Sequence, residues 1–114
     1  MPAGTNARVV LVTCGSRGEA RKIAQTMVAK RLAACVNVVT APVESVYRWK
    51  ESVERATEFL LVIKTTGGRL KRLEQAVQGL HTYDVPEFLV VGIAGGSQKY
   101  LDWLGESVRG IAAK

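Results

Sequence analysis

The chain has 114 residues, of which 47% are hydrophobic and 23% are charged. This length and composition predict a single globular domain, residues 1–114, and disfavour both disorder and a second domain. No apolar run approaches the roughly 18 residues of a membrane-spanning helix, so no membrane partner is expected. Sixteen Lys and Arg against ten Asp and Glu give a net charge of +6, which favours an anionic partner.

The chain begins with small and polar residues, and we expect residues 1–6 to form a flexible N-terminus. This stretch lacks the basic segment and apolar run that direct secretion, so a cytoplasmic location is expected. The two cysteines, Cys14 and Cys35, are too few for a disulfide scaffold. In the cytosol both would stay reduced.

The first two predicted elements are a strand and a helix. Residues 8–14 form a β-branched run that ends at Gly15, which is typical of a strand buried on both faces. From residue 18 to residue 31 apolar residues recur every three or four positions, which predicts a helix with Ser16 as its N-cap. The basic residues of this helix and of the second helix fall on solvent-facing positions, and this solvated face explains the positive charge without an anionic partner.

A long hairpin is predicted next. Residues 35–50 are rich in Val, Thr, Tyr and Trp and predict a long strand, and residues 53–66 predict its partner after a turn at Glu51-Ser52. Pro42 lies inside the first of these strands. Because proline cannot donate a hydrogen bond to a ladder, this strand should lie at an edge or carry a bulge.

The second half of the chain repeats the pattern of helix and strand. It predicts a helix over residues 70–80, a fourth strand over residues 87–94 and a third helix that begins after Ser97. The order predicts an α+β, ferredoxin-like fold, in which two helices cover one face of a four-stranded antiparallel sheet. The other face carries large side chains and needs a partner.

This topology brings three metal-ligating residue types to one end of the sheet. Cys14 ends the first strand there, and His81 and Glu87 lie between the second helix and the fourth strand. A thiolate, an imidazole and a carboxylate suit a divalent ion such as copper(II) or zinc. Within one chain such a site is incomplete. The alternative is a buried small thiol beside a histidine that the helix dipole stabilises.

Other chemistries have less support. No serine lies in a nucleophile-elbow pattern and the single histidine would have to serve any triad, so we predict no catalytic residues and no enzyme activity. RNA-binding domains of this topology stack bases on aromatic residues of the third strand, where this chain reads Glu58-Phe59-Leu60-Leu61-Val62-Ile63. Nucleic acid is therefore not a predicted partner. No tightly bound cofactor is predicted either, apart from copper(II) or another divalent cation.

Several segments together carry a resemblance to a known family. In chain order they are Lys30 to Asn37, Ser45 to Trp49, Glu58 to Thr66, His81 to Glu87, and Tyr100 to Trp103. They resemble the CutA divalent-cation-tolerance family. The resemblance implies a cytoplasmic homotrimer similar to the nitrogen-regulatory PII proteins, in which long hairpin strands pair between subunits. It also implies a role in tolerance to copper and other divalent metals.

The resemblance extends to individual positions. His81 matches the family's histidine, and Cys14 falls near its first-strand cysteine, so both are implied metal ligands. Cys35 matches the family's Leu-Ala-Ala-Cys motif and is either a ligand or a core residue.

Tyr47, Trp49 and Pro42 lie on the exposed strand and are predicted at the trimer interface, where aromatic side chains bury a large area. Two functions remain open for such a trimer. One is divalent-metal tolerance through metal binding. The other is a PII-like signalling module that binds a small anionic ligand or a partner protein in the clefts between subunits.

Overall fold

The first strand lies inside an antiparallel sheet. The computed structural model describes residues 4–109. Strand β1 (Ala7–Cys14) pairs on one side with β4 (Ser52–Thr66) and on the other with β5 (Leu89–Gly92). Strand β2 (Cys35–Val38) pairs with the second half of β4, which gives the order β2-β4-β1-β5. The predicted ferredoxin-like arrangement is confirmed.

The long strand predicted for residues 35–50 is wrong as a single element, because the structure divides it in two. Strand β2 ends at Val38, and β3 (Val43–Trp49) begins after Pro42. Proline has no N–H to continue the ladder, so the chain leaves the sheet there and rejoins it. Strand β4 has 15 residues and pairs with both pieces. The hairpin of β3 and the first half of β4 extends beyond the end of β1.

The hairpin turn is formed by Lys50 and Glu51, one residue earlier than predicted. Trp49 pairs with Ser52, and both turn residues have a positive φ, 47° and 73°. Two-residue hairpin turns favour this left-handed conformation because it matches the twist of the flanking strands. Neither residue is glycine, so Lys50 and Glu51 both adopt a backbone conformation that is uncommon for residues with a side chain.

Two helices cover one face of the sheet. They are α1 (Arg17–Ala29) and α2 (Leu70–Leu80), the second preceded by a 3₁₀ turn at Gly67–Arg69. The predicted N-cap of α1 is confirmed, because Ser16 Oγ accepts the Glu19 N–H at 3.1 Å. The main core lies between these helices and the sheet, and its largest buried members are Val10, Val12, Ile23, Met27, Leu61, Ile63, Leu73 and Val77.

The opposite sheet face is covered in part. Helix α3 (Gln98–Ser107) begins after Ser97 as predicted, and it lies against one end of this face, where Leu104 and Ala7 are buried together. At the other end the sheet is open, and all four residues of β5 are exposed. This strand is shorter than the predicted fourth strand, residues 87–94, because it pairs with β1 over four positions.

Thr5 and Asn6 belong to the stretch predicted as a flexible N-terminus, yet both are bonded. Thr5 donates its N–H and its hydroxyl to the Ile93 carbonyl at 3.1 and 2.8 Å, and the Asn6 carbonyl accepts the Gly67 N–H at 2.9 Å. Residues 1–3 of that stretch lie outside the described residues. Within residues 4–109, no helix is long and apolar enough to cross a membrane.

Candidate functional site

A pocket of about 720 Å³ lies where the hairpin, the end of β1 and the connector before β5 meet. Three of its eleven lining residues are carboxylates, namely Glu58, Asp84 and Glu87, and none is Lys, Arg or His. In a chain with a net charge of +6 this local composition stands out. We call this cavity, with its three carboxylates, the acidic pocket.

Glu58 and Tyr83 form the inner wall of the acidic pocket. Glu58 is 7% exposed, and the Tyr83 hydroxyl donates to its Oε2 at 2.7 Å. Burial, together with this bond to Glu58, raises the pKa of Tyr83 above its ordinary value, so the phenol remains a donor at physiological pH. Gly15 leaves room for the ring, since a Cβ there would lie 3.3 Å from the hydroxyl oxygen.

Glu87 is the second carboxylate of the acidic pocket, and it is half-buried. Burial and the negative charge of Glu58 raise the pKa of Glu87, and a hydrogen bond with the Thr13 side chain acts in the opposite direction. A cation bound beside Glu87 would relieve the repulsion that this carboxylate experiences from Glu58. The pocket is therefore electrostatically suited to a positive ligand.

His81 lies beside this pocket, and both of its ring nitrogens form hydrogen bonds. It ends α2, it is buried, and its Nε2 lies 2.7 Å from the Thr13 carbonyl oxygen. Its Nδ1 accepts the Tyr83 N–H at 3.1 Å. Because a carbonyl only accepts and an amide N–H only donates, Nε2 donates to Thr13 and Nδ1 accepts from Tyr83, while Glu19 Oε2 lies 3.4 Å from Nδ1. A metal ion would have to displace one of these two bonds.

Cys14 faces the core between the sheet and the helices. Its burial, and then the charges of Glu19 and Glu58, raise the pKa of the thiol to about 12. The protonated form therefore dominates at neutral pH, whereas metals bind the thiolate.

Cys35 is partly buried at the far end of the sheet. Cys14 pairs with Phe59 and Cys35 with Lys64, so the two cysteines are separated by about 17 Å along the strands, and both are free. Cys35 lies beside Tyr100 of α3, whose pKa is raised by burial and then by this cysteine. The surroundings of Cys35 are typical of a residue that packs against its neighbours.

The structure thus places Cys14, His81 and Glu87 at one end of the sheet, as the topology predicts. They face different surroundings there, since Cys14 lies in the core and Glu87 lines the pocket. Across residues 4–109, no three His, Cys, Asp or Glu side chains are grouped to hold a metal ion. A metal-binding role for this trio stays a prediction.

The residues predicted at the trimer interface are exposed in the protomer. Tyr47 and Trp49 are 43% and 42% exposed, and Pro42 is exposed as well. Val46 and Val53, on the other side of the hairpin, are even more open to solvent. Their place in an interface stays a prediction.

Three carboxylates of this region, Asp84, Glu58 and Glu19, are not among the predicted site residues. Glu58 holds the Tyr83 hydroxyl, and Glu19 accepts the Thr82 N–H at 2.8 Å. A sequence signal exists for Glu58, because it directly precedes the apolar run of β4 and faces away from the core-packed Phe59. No comparable signal marks Glu19, whose partner is 63 residues away.

Comparisons with known proteins identify the family of this chain. Residues 8–107 match the family described as CutA1 divalent ion tolerance protein. The sequence is 46% identical over 101 residues to "Protein CutA, chloroplastic" of Arabidopsis thaliana, covering 89% of this chain and 55% of that one. The chain therefore spans about half the length of this plant relative. It is also 46% identical over 99 residues to "Divalent-cation tolerance protein CutA" of Thermus thermophilus, covering 87% of this chain and 95% of that one.

Solved structures agree. The divalent cation tolerance protein Cut A1 from Thermus thermophilus has a TM-score of 0.87 at 46% identity and covers 89% of this chain and 97% of its own. The Archaeoglobus fulgidus structure, described as a periplasmic divalent cation tolerance protein CutA, has a TM-score of 0.87 at 33% identity and covers 90% and 99%. The chain belongs to the CutA1 divalent ion tolerance family.

Proposed function

We propose that this protein acts in divalent-cation tolerance as a homotrimer that binds the metal ion at the acidic pocket. The observation that carries this proposal is the charge of the pocket, which holds three carboxylates and no basic lining residue in a chain of +6. The negative charge of Glu58 raises the pKa of Glu87, and a bound cation would relieve this repulsion. The family is described as divalent ion tolerance proteins, and this description supports a divalent cation as the ligand.

The first ligands in this proposal are the carboxylates of Glu87 and Glu58. Copper(II) is the proposed ion, because it binds a given set of nitrogen and oxygen ligands more tightly than the other divalent first-row metals. His81 and Cys14 lie behind the pocket, and His81 joins the coordination only when its bond to Thr13 opens. Water or a neighbouring subunit completes the coordination.

Titration calorimetry of the metal-free protein with copper(II), and separately with zinc(II), tests this proposal. We expect saturable binding at a single site per chain, weakened about tenfold or more in Glu87→Gln. Glu74→Gln, which removes an exposed carboxylate on α2, serves as the matched control and should bind as the wild type does. Loss in His81→Ala with no loss in Glu87→Gln would move the site to the predicted Cys14 and His81. Weak heat without a defined stoichiometry in the wild type would end the metal-binding proposal.

The trimer is supported by open strand edges of unlike kinds. Among the described residues, β5 has a partner strand on one side only, and residues 52–57 of β4 pair with β3 but have no strand on their other side. When one edge of a copy pairs with the other, different edge of the next copy, the copies can close into a ring. The exposed apolar side chains of Leu89, Val90 and Val91 would be covered in such a ring.

Light scattering after size exclusion tests the assembly. We expect a mass three times the 12.3 kDa of one chain. Leu89→Glu places a charge on the open edge strand and should release folded monomers. Val28→Glu, at a similarly exposed apolar position on α1, should leave the trimer intact. A wild type with the mass of one chain would contradict the assembly.

We further propose that the protein has no enzymatic activity and works in the cytoplasm, where its free cysteines stay reduced. Relatives carry the words chloroplastic and periplasmic, so cell fractionation is the deciding measurement. In the alternative function, a small anionic ligand would bind in a cleft between subunits and outside the acidic pocket, because the carboxylates of this pocket would repel it.

A further inference from the structure

We propose that one end of the molecule docks an acidic segment of a partner protein, a short run of Asp and Glu. The surface forms where α1 ends and α2 begins, and we call it the basic end. Its cationic side chains are those of Lys30, Arg31, Arg69, Lys71 and Arg72. The inference is independent of the metal-binding proposal, because the basic end shares no residue with the acidic pocket.

The net charge of the chain is concentrated on the two helices that cover the sheet. Residues 17–31 and 69–80 hold eight of the sixteen Lys and Arg but two of the ten Asp and Glu. The other residues carry eight groups of each sign, so the whole excess of +6 lies on these two segments. Residues 30–31 and 69–72 contain no Asp or Glu. A surface that serves solubility alone is best built with both signs interspersed.

The fold brings the end of α1 and the start of α2 together beside the end of α3. Arg31 Nη1 lies 3.4 Å from the Ser107 carbonyl oxygen, and Arg69 Nε donates to the Val108 carbonyl at 2.7 Å. The two guanidinium groups therefore converge on successive carbonyl groups. Each of these bonds uses one of the five N–H donors of a guanidinium, and the other donors can bind a carboxylate in a bidentate manner.

The cations of the basic end are accessible and unpaired within the described part of the chain. Four of the five are exposed, and Arg69 is partly buried. Across residues 4–109, none of them forms an ion pair with a carboxylate. Glu106 lines a cavity together with Arg69, yet its carboxylate pairs with Arg109 at 3.7 Å. A cluster of positive charges without counter-charges attracts an anionic partner.

Two local features of the basic end oppose stability. Arg31 has a φ of 58°, at the position after the end of α1 where glycine is favoured. Lys71 and Arg72 lie in the first turn of α2, which has no acidic residue, although the helix dipole disfavours cations there. Local conflicts of this kind are expected at functional positions. A bound carboxylate would be attracted both by these cations and by the positive end of the helix dipole.

The composition of the surface favours a protein partner over nucleic acid or a membrane. Residues 17–31 and 69–80 contain no Phe, Tyr or Trp, whereas single-stranded nucleic acids bind by stacking on aromatic rings. A duplex binds along a stripe of cations, and the basic end is confined to two helix ends. Lipid surfaces bind helices through large apolar side chains, and Val28 is the single exposed one in these two described segments. An acidic peptide needs none of these features.

The basic end lies far from the proposed metal site and is not needed for assembly. Ala7, at the start of β1, pairs with Thr66 next to the basic end, and Thr13 lines the acidic pocket. The two sites are therefore about 20 Å apart along the strand. The open edges that support the proposed trimer belong to β4 and β5. Edge pairing therefore leaves the ends of α1 and α2 available for a partner.

Fluorescence anisotropy with a labelled octaglutamate peptide tests this inference on the assembled protein, and octaglutamine is the uncharged control. We expect saturable binding of octaglutamate and none of octaglutamine. The affinity should fall as salt is added, because ions screen exposed charges. Lys71→Gln should weaken binding about threefold or more, since it removes a cation from the surface.

Arg31→Gly is the most informative variant, because glycine suits the positive φ at this position. It should bind octaglutamate about threefold or more weakly, yet it should unfold at no lower urea concentration than the wild type. The matched control is Arg21→Gln, which removes an exposed cation of α1 outside the basic end. This control should bind octaglutamate as the wild type does.

Three results would overturn the inference. The first is a wild type that shows no saturable binding of octaglutamate. The second is equal weakening in Arg21→Gln and Lys71→Gln, which would show that net charge alone attracts the peptide. The third is tighter binding of a short DNA duplex, or of phosphatidylserine vesicles, that is lost in Lys71→Gln. Copper(II) affinity should be unchanged in Lys71→Gln, so the metal-binding proposal is tested separately.

Discussion

The imidazole of His81 joins the end of α2 to the end of β1. Its Nε2 donates to the Thr13 carbonyl and its Nδ1 accepts from the Tyr83 N–H. The two bonds measure 2.7 and 3.1 Å, and His81 is 9% exposed. The residue chosen from the sequence for metal chemistry therefore also performs a structural task.

We expect His81→Ala to lower the free energy of unfolding by about 2–4 kcal/mol. The substitution leaves a buried carbonyl without its donor and opens a cavity where the ring was. Urea unfolding at a fixed protein concentration measures the loss. Thr82→Ala, at the exposed next residue, should cost less than about 1 kcal/mol. Similar losses in the two variants would show that the buried bonds of His81 contribute little.

Cys14 should resist alkylation in the folded protein. Its thiol is buried and has a pKa of about 12, so a raised folded-state pKa keeps the reactive thiolate scarce until the solution is strongly alkaline. With iodoacetamide between about pH 7 and pH 10, mass spectrometry should find Cys14 unmodified in the native state and modified in urea. Rapid native labelling of Cys14 would show that its surroundings open readily.

At the scale of the elements, the start of α1 depends on a single hydroxyl. Ser16 Oγ accepts the Glu19 N–H at 3.1 Å and satisfies a donor that the first helical turn leaves free. Ser16→Ala should lower the free energy of unfolding by about 1 kcal/mol, whereas Ser16→Asp, which keeps an acceptor, should cost little. Urea unfolding of both variants distinguishes a capping effect from a general intolerance of substitution, which would destabilise both.

Most elements of the fold follow from local patterns. The spacing of apolar residues in α1 and α2, the cap at Ser16 and the order of the elements are visible in the sequence, and all are confirmed. The division at Pro42 and the length of β5 are not, because each depends on how far a partner strand reaches. Strand length is decided by pairing, which a local pattern does not contain.

The candidate site was less predictable than the fold. The topology correctly brings His81 and Glu87 to one end of the sheet, but the contact between Tyr83 and Glu58 depends on the register of β4 against β1. A shift of one residue would turn Glu58 into the core. Likewise, His81 forms hydrogen bonds with two backbone groups, and the positions of backbone groups cannot be inferred from residue types.

At the scale of the whole molecule, stability should depend on protein concentration. If the protomers associate through β5, association stabilises the folded state and the melting temperature rises with concentration. Calorimetry over a hundredfold range of concentration should show this rise in the wild type and a flat response in Leu89→Glu. A flat response in both would indicate that the folded chain is independent of its neighbours.

The position of β1 has a consequence for synthesis of the chain. It leaves the ribosome before its neighbours β4 and β5, which lie 38 or more residues later, because β4 begins at Ser52 and β1 ends at Cys14. Sheets built from such distant pairings form slowly. Val10 and Val12 therefore have no partner strand until Leu61 and Ile63 of β4 have been translated. Aggregation competes most strongly with folding while β1 has been translated and β4 has not.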